Sequence, residues 1–340
     1  MKEYDFPKYL SCYLSKYLPG QKNASKNTIT SYCDTFKLFL TFCEDDKKMK
    51  PEKICISDIQ KELIVEYLAW LEAKRKCSIS TRNQRLAVIH SFFHYVQKES
   101  PENLHEIQKI LSIPVKKYPK TTVPYLTGDE TQILLTQPDP SKYEGYRDMV
   151  LLSVLYDTGA RVQELVDIKV KDVRLTTPAV ITLHGKGYKT RTVPIIGKTS
   201  GLLKMYLDKK KHHAGIAKGD NYLFVNQKQQ QLSRWGISYI LNKYVEMAKS
   251  NPKFQVSFPV TPHVLRHSKS MHLLQSGVNL VYIRDFLGHV DCSTTEMYAR
   301  ADSEMKRKAI ENAYVDLVPN EIPRWKEDGE LMQWLCSFCV

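Results

Sequence analysis

The sequence predicts a mainly α-helical chain with one small antiparallel β-sheet, divided into two domains. Three observations carry this. Apolar residues recur at three-four spacing through most of residues 1–111. Residues 112–124, rich in proline and lysine, have no periodicity and read as an extended linker. Beyond them only two short strand-like runs stand out, Val180–Leu183 and Arg191–Ile195, around a Gly-Lys-Gly tip. At 340 residues the chain is long enough for two separate cores. They are expected at 1–111 and 125–318, with a tail at 319–340.

In the first domain, one helical stripe is Ile29, Tyr32, Phe36, Phe39, Leu40 and Cys43, and a second is Leu63, Tyr67, Leu68 and Leu71. A third, Leu86, Ile89, Phe93 and Val96, follows an expected N-cap at Ser80. Its polar side begins Thr81-Arg82-Asn83-Gln84-Arg85, so Arg82 and Arg85 could lie against phosphates, or simply line a solvated face. The second domain opens with a capping box, Thr127 to Glu130. A helix through Met149, Leu152, Val154 and Leu155 is expected to end at Gly159, just before Arg161. The hairpin tip places two glycines beside Lys186, which lets its amine approach a ligand closely. Ser233 caps a helix buried through Ile237, Ile240, Leu241 and Tyr244, with Arg234 at its start. Lys209–His213 reads as a solvated basic face.

The densest chemistry lies between Thr261 and Ala301. His263 and Arg266 are three apart, so a helix projects both from one face. Val278, Tyr282 and Phe286 mark a helix that Gly288 is suited to end, directly before His289. Ser293-Thr-Thr-Glu296 restarts a helix carrying Tyr298, a charged helix spans 304–313, and the tail holds Leu331, Trp334, Leu335 and Phe338.

Composition narrows the partner. Hydrophobic residues make up 42% and charged residues 26%, as in a folded soluble protein. The net charge of +13 favours a polyanion. Residues 1–120 carry 21 Lys and Arg against 14 Asp and Glu, a net +7, leaving +6 for the other 220. Both halves being basic fits a two-lobed clamp. No apolar run approaches the ~20 residues that span a bilayer, and MKEYDFPKYL has no signal-peptide core. Eight scattered cysteines fit buried thiols in a reducing cytosol, so a cytoplasmic protein is expected.

Cleaving a phosphodiester requires charge at the non-bridging oxygens, a nucleophile, and a proton for the leaving oxygen. Arg161 and Arg266 suit the first role, because guanidinium pairs bidentately with phosphate and stays charged. Tyr298 suits the second, Lys186 the third, and His263 and His289 can donate hydrogen bonds or relay protons. With that much fixed charge no metal or other cofactor is needed. His263 and His267 could pair on zinc, but Arg266 between them would repel a cation. His267 and His272 read as packing or DNA-backbone contacts, Lys189 and Arg191 as phosphate contacts or a solvated hairpin edge, and Cys336 and Cys339 as tail packing.

Thr158-Gly-Ala-Arg161-Val-Gln-Glu164-Leu resembles box I of the tyrosine recombinases, the phage-integrase family. His184-Gly-Lys186 through Pro194 is similar to their lysine-bearing hairpin. Thr261-Pro-His263-Val-Leu-Arg266-His267 resembles their His-x-x-Arg box, and Leu287-Gly-His289 with Thr294 to Tyr298 resembles box II. Thr28–Tyr32 and Ser80–Arg85 resemble turns of the family's helical core-binding domain. The layout is similar to Xer-type or transposon-borne members, without an added arm-binding domain.

The resemblance implies a C-shaped DNA clamp, a core-binding domain at 1–111 and a catalytic domain at 125–318. It implies that Arg161, Lys186, His263, Arg266, His289 and Tyr298 are catalytic, with Glu164 supporting them and Arg82, Arg85, Lys189, Arg191, Arg234 and His267 near DNA. It implies inverted-repeat core sites on double-stranded DNA, a homotetramer on two sites, alone or with sister recombinases, and a nucleoid location. The tail would dock on a neighbouring protomer. A type IB topoisomerase and a catalytically silent DNA-binding protein are the competing expectations.

Overall fold

The computed structural model describes residues 4–117, 123–185, 189–195, 197–214, 221–288 and 331–337. It divides into two compact units, Met1–Thr121 and Thr122–Val340. The first unit is helical: α1 (Phe6–Cys12) runs on as a wider π-helical stretch (Tyr13–Gln21), followed by α2 (Lys26–Asp45), α3 (Lys61–Ala73), α4 (Ile79–Glu99) and α5 (Leu104–Leu111). All three apolar stripes face inward around an aromatic core. Phe92 meets Phe6 and Phe36 edge-on at centroid separations of 5.7 and 5.1 Å, the geometry that ring quadrupoles favour.

Local chemistry corrects the expected start of α4. The N-cap is Ser78, whose hydroxyl accepts from the Thr81 N–H at 3.2 Å, so Ser80 lies inside the first turn. Thr28–Tyr32 and Ser80–Arg85 are likewise helical rather than turns. The stretch after α5 starts docked. Ile113 is buried, and the Asn83 amide pairs with Lys116 like a strand partner, donating to its carbonyl at 2.8 Å and accepting from its N–H at 3.1 Å.

In the second unit, Thr127 and Glu130 form the expected capping box at the head of α6 (Gly128–Leu135). Next comes α7 (Tyr143–Thr158), buried on most of its circumference, and Gly159 ends it at φ +54°. After α8 (Val162–Asp167), the strands β1 (Val173–Arg174), β2 (Val180–His184) and β3 (Thr190–Pro194) pair antiparallel in that order. Ile181 lies opposite Val193 and Leu183 opposite Arg191, and all three apolar partners are buried. Then follow α9 (Lys198–Ala214), α10 (Arg234–Ala248), α11 (Pro262–Gln275) and α12 (Leu280–Leu287). Ser233 caps α10 as expected, its hydroxyl accepting from the Gly236 N–H at 3.0 Å.

The Lys209–His213 run is not uniformly a solvated face. Lys210 is buried, its Nζ donating to the Leu223 carbonyl at 2.9 Å and to the Tyr222 carbonyl, and burial pushes its pKa down to about 8. A last helix spans Leu331–Ser337, with Leu335 and Cys336 exposed. Among the described residues no helix is long and apolar enough to cross a membrane.

Candidate active site

Two helix ends and one hairpin build the site. Gly159 and Gly288 both turn their chains left-handed, at φ +54° and +65°, which leaves the last carbonyls of α7 and α12 without helical partners. Arg266, on α11, reaches both ends. Its guanidinium donates to the Gly159 carbonyl and, at 2.7 Å, to the Leu287 carbonyl. A cation there also suits the negative ends of two helix dipoles. The glycines permit this closeness, since a Cβ on Gly159 would lie 3.0 Å from the Leu287 side chain.

Arg161 starts α8, and Glu164, one turn on, holds it twice. The carboxylate accepts from the Arg161 N–H at 2.8 Å and from its guanidinium at 2.8 Å. The same carboxylate takes both terminal nitrogens of Arg191 at 2.8 Å. Burial alone would raise the Glu164 pKa, but the Arg191 and Arg161 donors outweigh it and hold the carboxyl below its usual range. Glu164 is 3% exposed and Arg191 12%, whereas the Arg161 side chain remains 41% open to solvent.

Three guanidiniums therefore meet at the end of α12. Arg191 donates to the Phe286 carbonyl at 3.0 Å, Arg266 to Leu287, and Arg161 to Gly288 at 3.4 Å. Three consecutive carbonyls each take a different arginine. His263 is exposed on α11, and partial burial together with the charges of Arg266 and Arg161 lowers its pKa below the ordinary imidazole value. His267 is half-buried, and burial, then His263 and Arg266, push its pKa down to about 4. Both imidazoles are neutral at pH 7. Behind them His272 pairs with the Tyr156 hydroxyl at 2.7 Å, and Lys269 reaches Asp157 at 3.4 Å.

The structure thus brings Arg161, Glu164, His263, Arg266 and His267 together. Lys186, His289 and Tyr298 lie outside the described residues, as do the capping box at 293–296 and the helix at 304–313. Lys189 is exposed immediately before β3, and Arg234 is exposed at the start of α10 beside an open Trp235. Three residues expected near DNA make their contacts within their own units. Arg82 is buried, donating to the Asn83 side chain at 3.0 Å and the Pro114 carbonyl at 3.4 Å. Arg85 is half-buried, donating to the Ser31 carbonyl at 3.1 Å and the Thr35 hydroxyl at 2.8 Å. Arg191 is not a solvated edge, because its fork pairs with Glu164 and little of it is exposed. The signal for it was present: strand alternation puts Arg191 on the face of Val193, which points inward.

Residues 124–305 match the phage integrase family, and residues 14–102 match the phage integrase N-terminal SAM-like domain. The chain belongs to the phage integrase family, the tyrosine recombinases. The putative integrase/recombinase y4rC of Sinorhizobium fredii is 35% identical over 329 residues, covering 96% of this chain and 97% of the relative. The tyrosine recombinase XerC of Herpetosiphon aurantiacus is 32% identical over 305 residues, 89% of this chain and 94% of that one. Solved structures share the recombinase fold. The XerH site-specific recombinase in a post-cleavage complex with palindromic difH substrate aligns with a TM-score of 0.67 at 21% identity, over 85% of this chain and 80% of that one. The Tn1549 transposon integrase with circular-intermediate DNA aligns at 0.67 and 16% identity, over 88% and 98%. The expected fold class, mainly helical with a small antiparallel sheet, holds for this tyrosine recombinase, and so does its assignment as a site-specific recombinase.

Proposed function

We propose that this recombinase cleaves and rejoins double-stranded DNA through a covalent bond between Tyr298 and a 3′-phosphate. The tyrosine hydroxyl gives its proton to a neutral imidazole, His263 or His289, as its oxygen attacks the scissile phosphorus; the bond to the 5′-oxygen breaks, and Lys186 supplies the proton that oxygen takes up. Ligation runs the same steps in reverse, with the energy of the broken bond kept in the phosphotyrosyl link, so no ATP enters. Arg161 and Arg266 hold the non-bridging oxygens, while His263 and His289 donate hydrogen bonds to the pentavalent phosphorus centre. Glu164 keeps Arg161 oriented.

One observation carries this reading. An open guanidinium, a recessed guanidinium and an exposed neutral imidazole converge where α12 ends, and the next residue in the chain is His289. Residues 1–111 act as the core-binding domain and 125–318 as the catalytic domain, joined by the linker 112–124, and both engage the DNA. Four protomers join two inverted-repeat sites and exchange strands through a Holliday junction, with the 319–340 tail docked on a neighbour. Integration or excision of a mobile element fits the resemblance to y4rC and the Tn1549 integrase.

The test uses nicked duplexes with a randomised core. Wild-type protein leaves a covalent protein–DNA band on a denaturing gel, which also recovers the preferred sequence. Tyr298→Phe binds that DNA but forms no band. Adducts that survive Tyr298→Phe, or none from the wild type, would refute the mechanism. Adding a second duplex of the recovered sequence gives recombinant joints for a recombinase and only relaxed or resealed DNA for a topoisomerase.

A further inference from the structure

Resting on that reading, we propose that Arg191 is a positioning residue for strand cleavage, tying the β2–β3 hairpin to the α8 carboxylate that holds Arg161 and to the end of α12. Its two terminal nitrogens fill Glu164 from one side while Arg161 fills it from the other, each at 2.8 Å. Its Nε takes the Phe286 carbonyl at 3.0 Å, two residues before Gly288. A planar fork with a third donor on the Nε edge meets both partners at once, and a lysine ammonium has no such geometry. The close fit is visible at Gly288, where a Cβ would lie 3.1 Å from the Arg191 Cδ.

Sequence order gives this contact its consequence. Arg191 follows Lys186 by five residues in the hairpin, and Gly288 immediately precedes His289. The Arg191 contacts therefore link the segment supplying the leaving-group proton, the arginine facing the phosphate, and the chain leading to the nucleophile. Losing them leaves all six catalytic side chains in the sequence but loosens their common frame. Small errors in the placement of reacting groups cost rate steeply. Arg191 itself, nearly buried and committed to Glu164, takes no part in the chemistry.

The experiment is single-turnover adduct formation by the full chain on a nicked duplex of the recovered sequence, reading rate and final amplitude separately. Arg191→Lys and Arg191→Ala are expected to bind that duplex within about threefold of wild type. Their cleavage rates fall roughly tenfold and a hundredfold respectively, with the final amplitude retained. A merely structural role gives the opposite pattern, a reduced amplitude at an unchanged rate, and overturns the proposal. So does a wild-type rate in Arg191→Lys, which decides the matter even where the alanine variant fails to fold. Failure here stays distinct from failure of the mechanism: in the first case wild type forms adduct and Arg191→Lys matches it, in the second wild type forms none.

Discussion

Among the arginines that donate to backbone carbonyls, two in the first unit and three in the second do different things. Arg82 and Arg85 use separate anchors, the Asn83 amide and Pro114 carbonyl for one, Ser31 and Thr35 for the other. No carboxylate joins them in those contacts, and each pins chain to chain. Arg161, Arg191 and Arg266 instead converge on three successive carbonyls, with Glu164 shared between two of them. Among the described residues, three positive charges against one negative leave +2 held at one spot, with Arg161 open to solvent. A guanidinium scattered among neutral acceptors cements packing. Guanidiniums gathered around one carboxylate are preorganised for an anion that has yet to arrive.

That contrast breaks most readily at Glu164. Removing the carboxylate leaves Arg191 buried without its counter-charge, so Glu164→Ala should lower the stability of the second unit by about 3–5 kcal/mol. Asn83→Ala in the first unit should cost about 1–3 kcal/mol. Urea midpoints for the two units check this, and equal losses would show that the shared carboxylate is ordinary packing. Next in size is Arg161→Ala, expected to slow adduct formation roughly 100-fold or more. Arg82→Ala should leave the rate per folded molecule unchanged. A comparable slowing in Arg82→Ala would erase the distinction between the two regions.

A smaller effect sharpens the electrostatic side. His267 folds neutral with its pKa near 4, below the usual ~6.5, so the unfolded chain binds the extra proton between those values. Its share of stability is complete above pH ~6.5 and is lost as pH falls toward 4. Thermal melting of wild type and His267→Gln at pH 7 and 4.5 should show a difference between them that changes by the order of 2 kcal/mol. Parallel acid losses in both proteins would mean that the buried neutral His267 is not the source of the acid sensitivity.

Much of the frame is legible residue by residue. The capping box at Thr127, the cap at Ser233, the left-handed ends at Gly159 and Gly288, and the inward stripes of α2, α3 and α4 all follow from neighbours within a turn or two. The polar residues fared differently. Ser80 and Ser78 offer the same hydroxyl two positions apart, and only the backbone geometry at Thr81 selects between them. Arg82 and Lys210 read as solvated because charged residues usually are, yet each found carbonyls more than ten residues away.

What the sequence determined alone is the family, the helical and strand periods, and the chemical inventory of the site, since each is written in local spacing and residue type. What only the tertiary structure decided is which charges face each other. Arg161 stays open while Arg191 and Arg266 turn inward, because the carbonyls that satisfy them belong to α7 and α12, far off in sequence and adjacent only once the unit has folded.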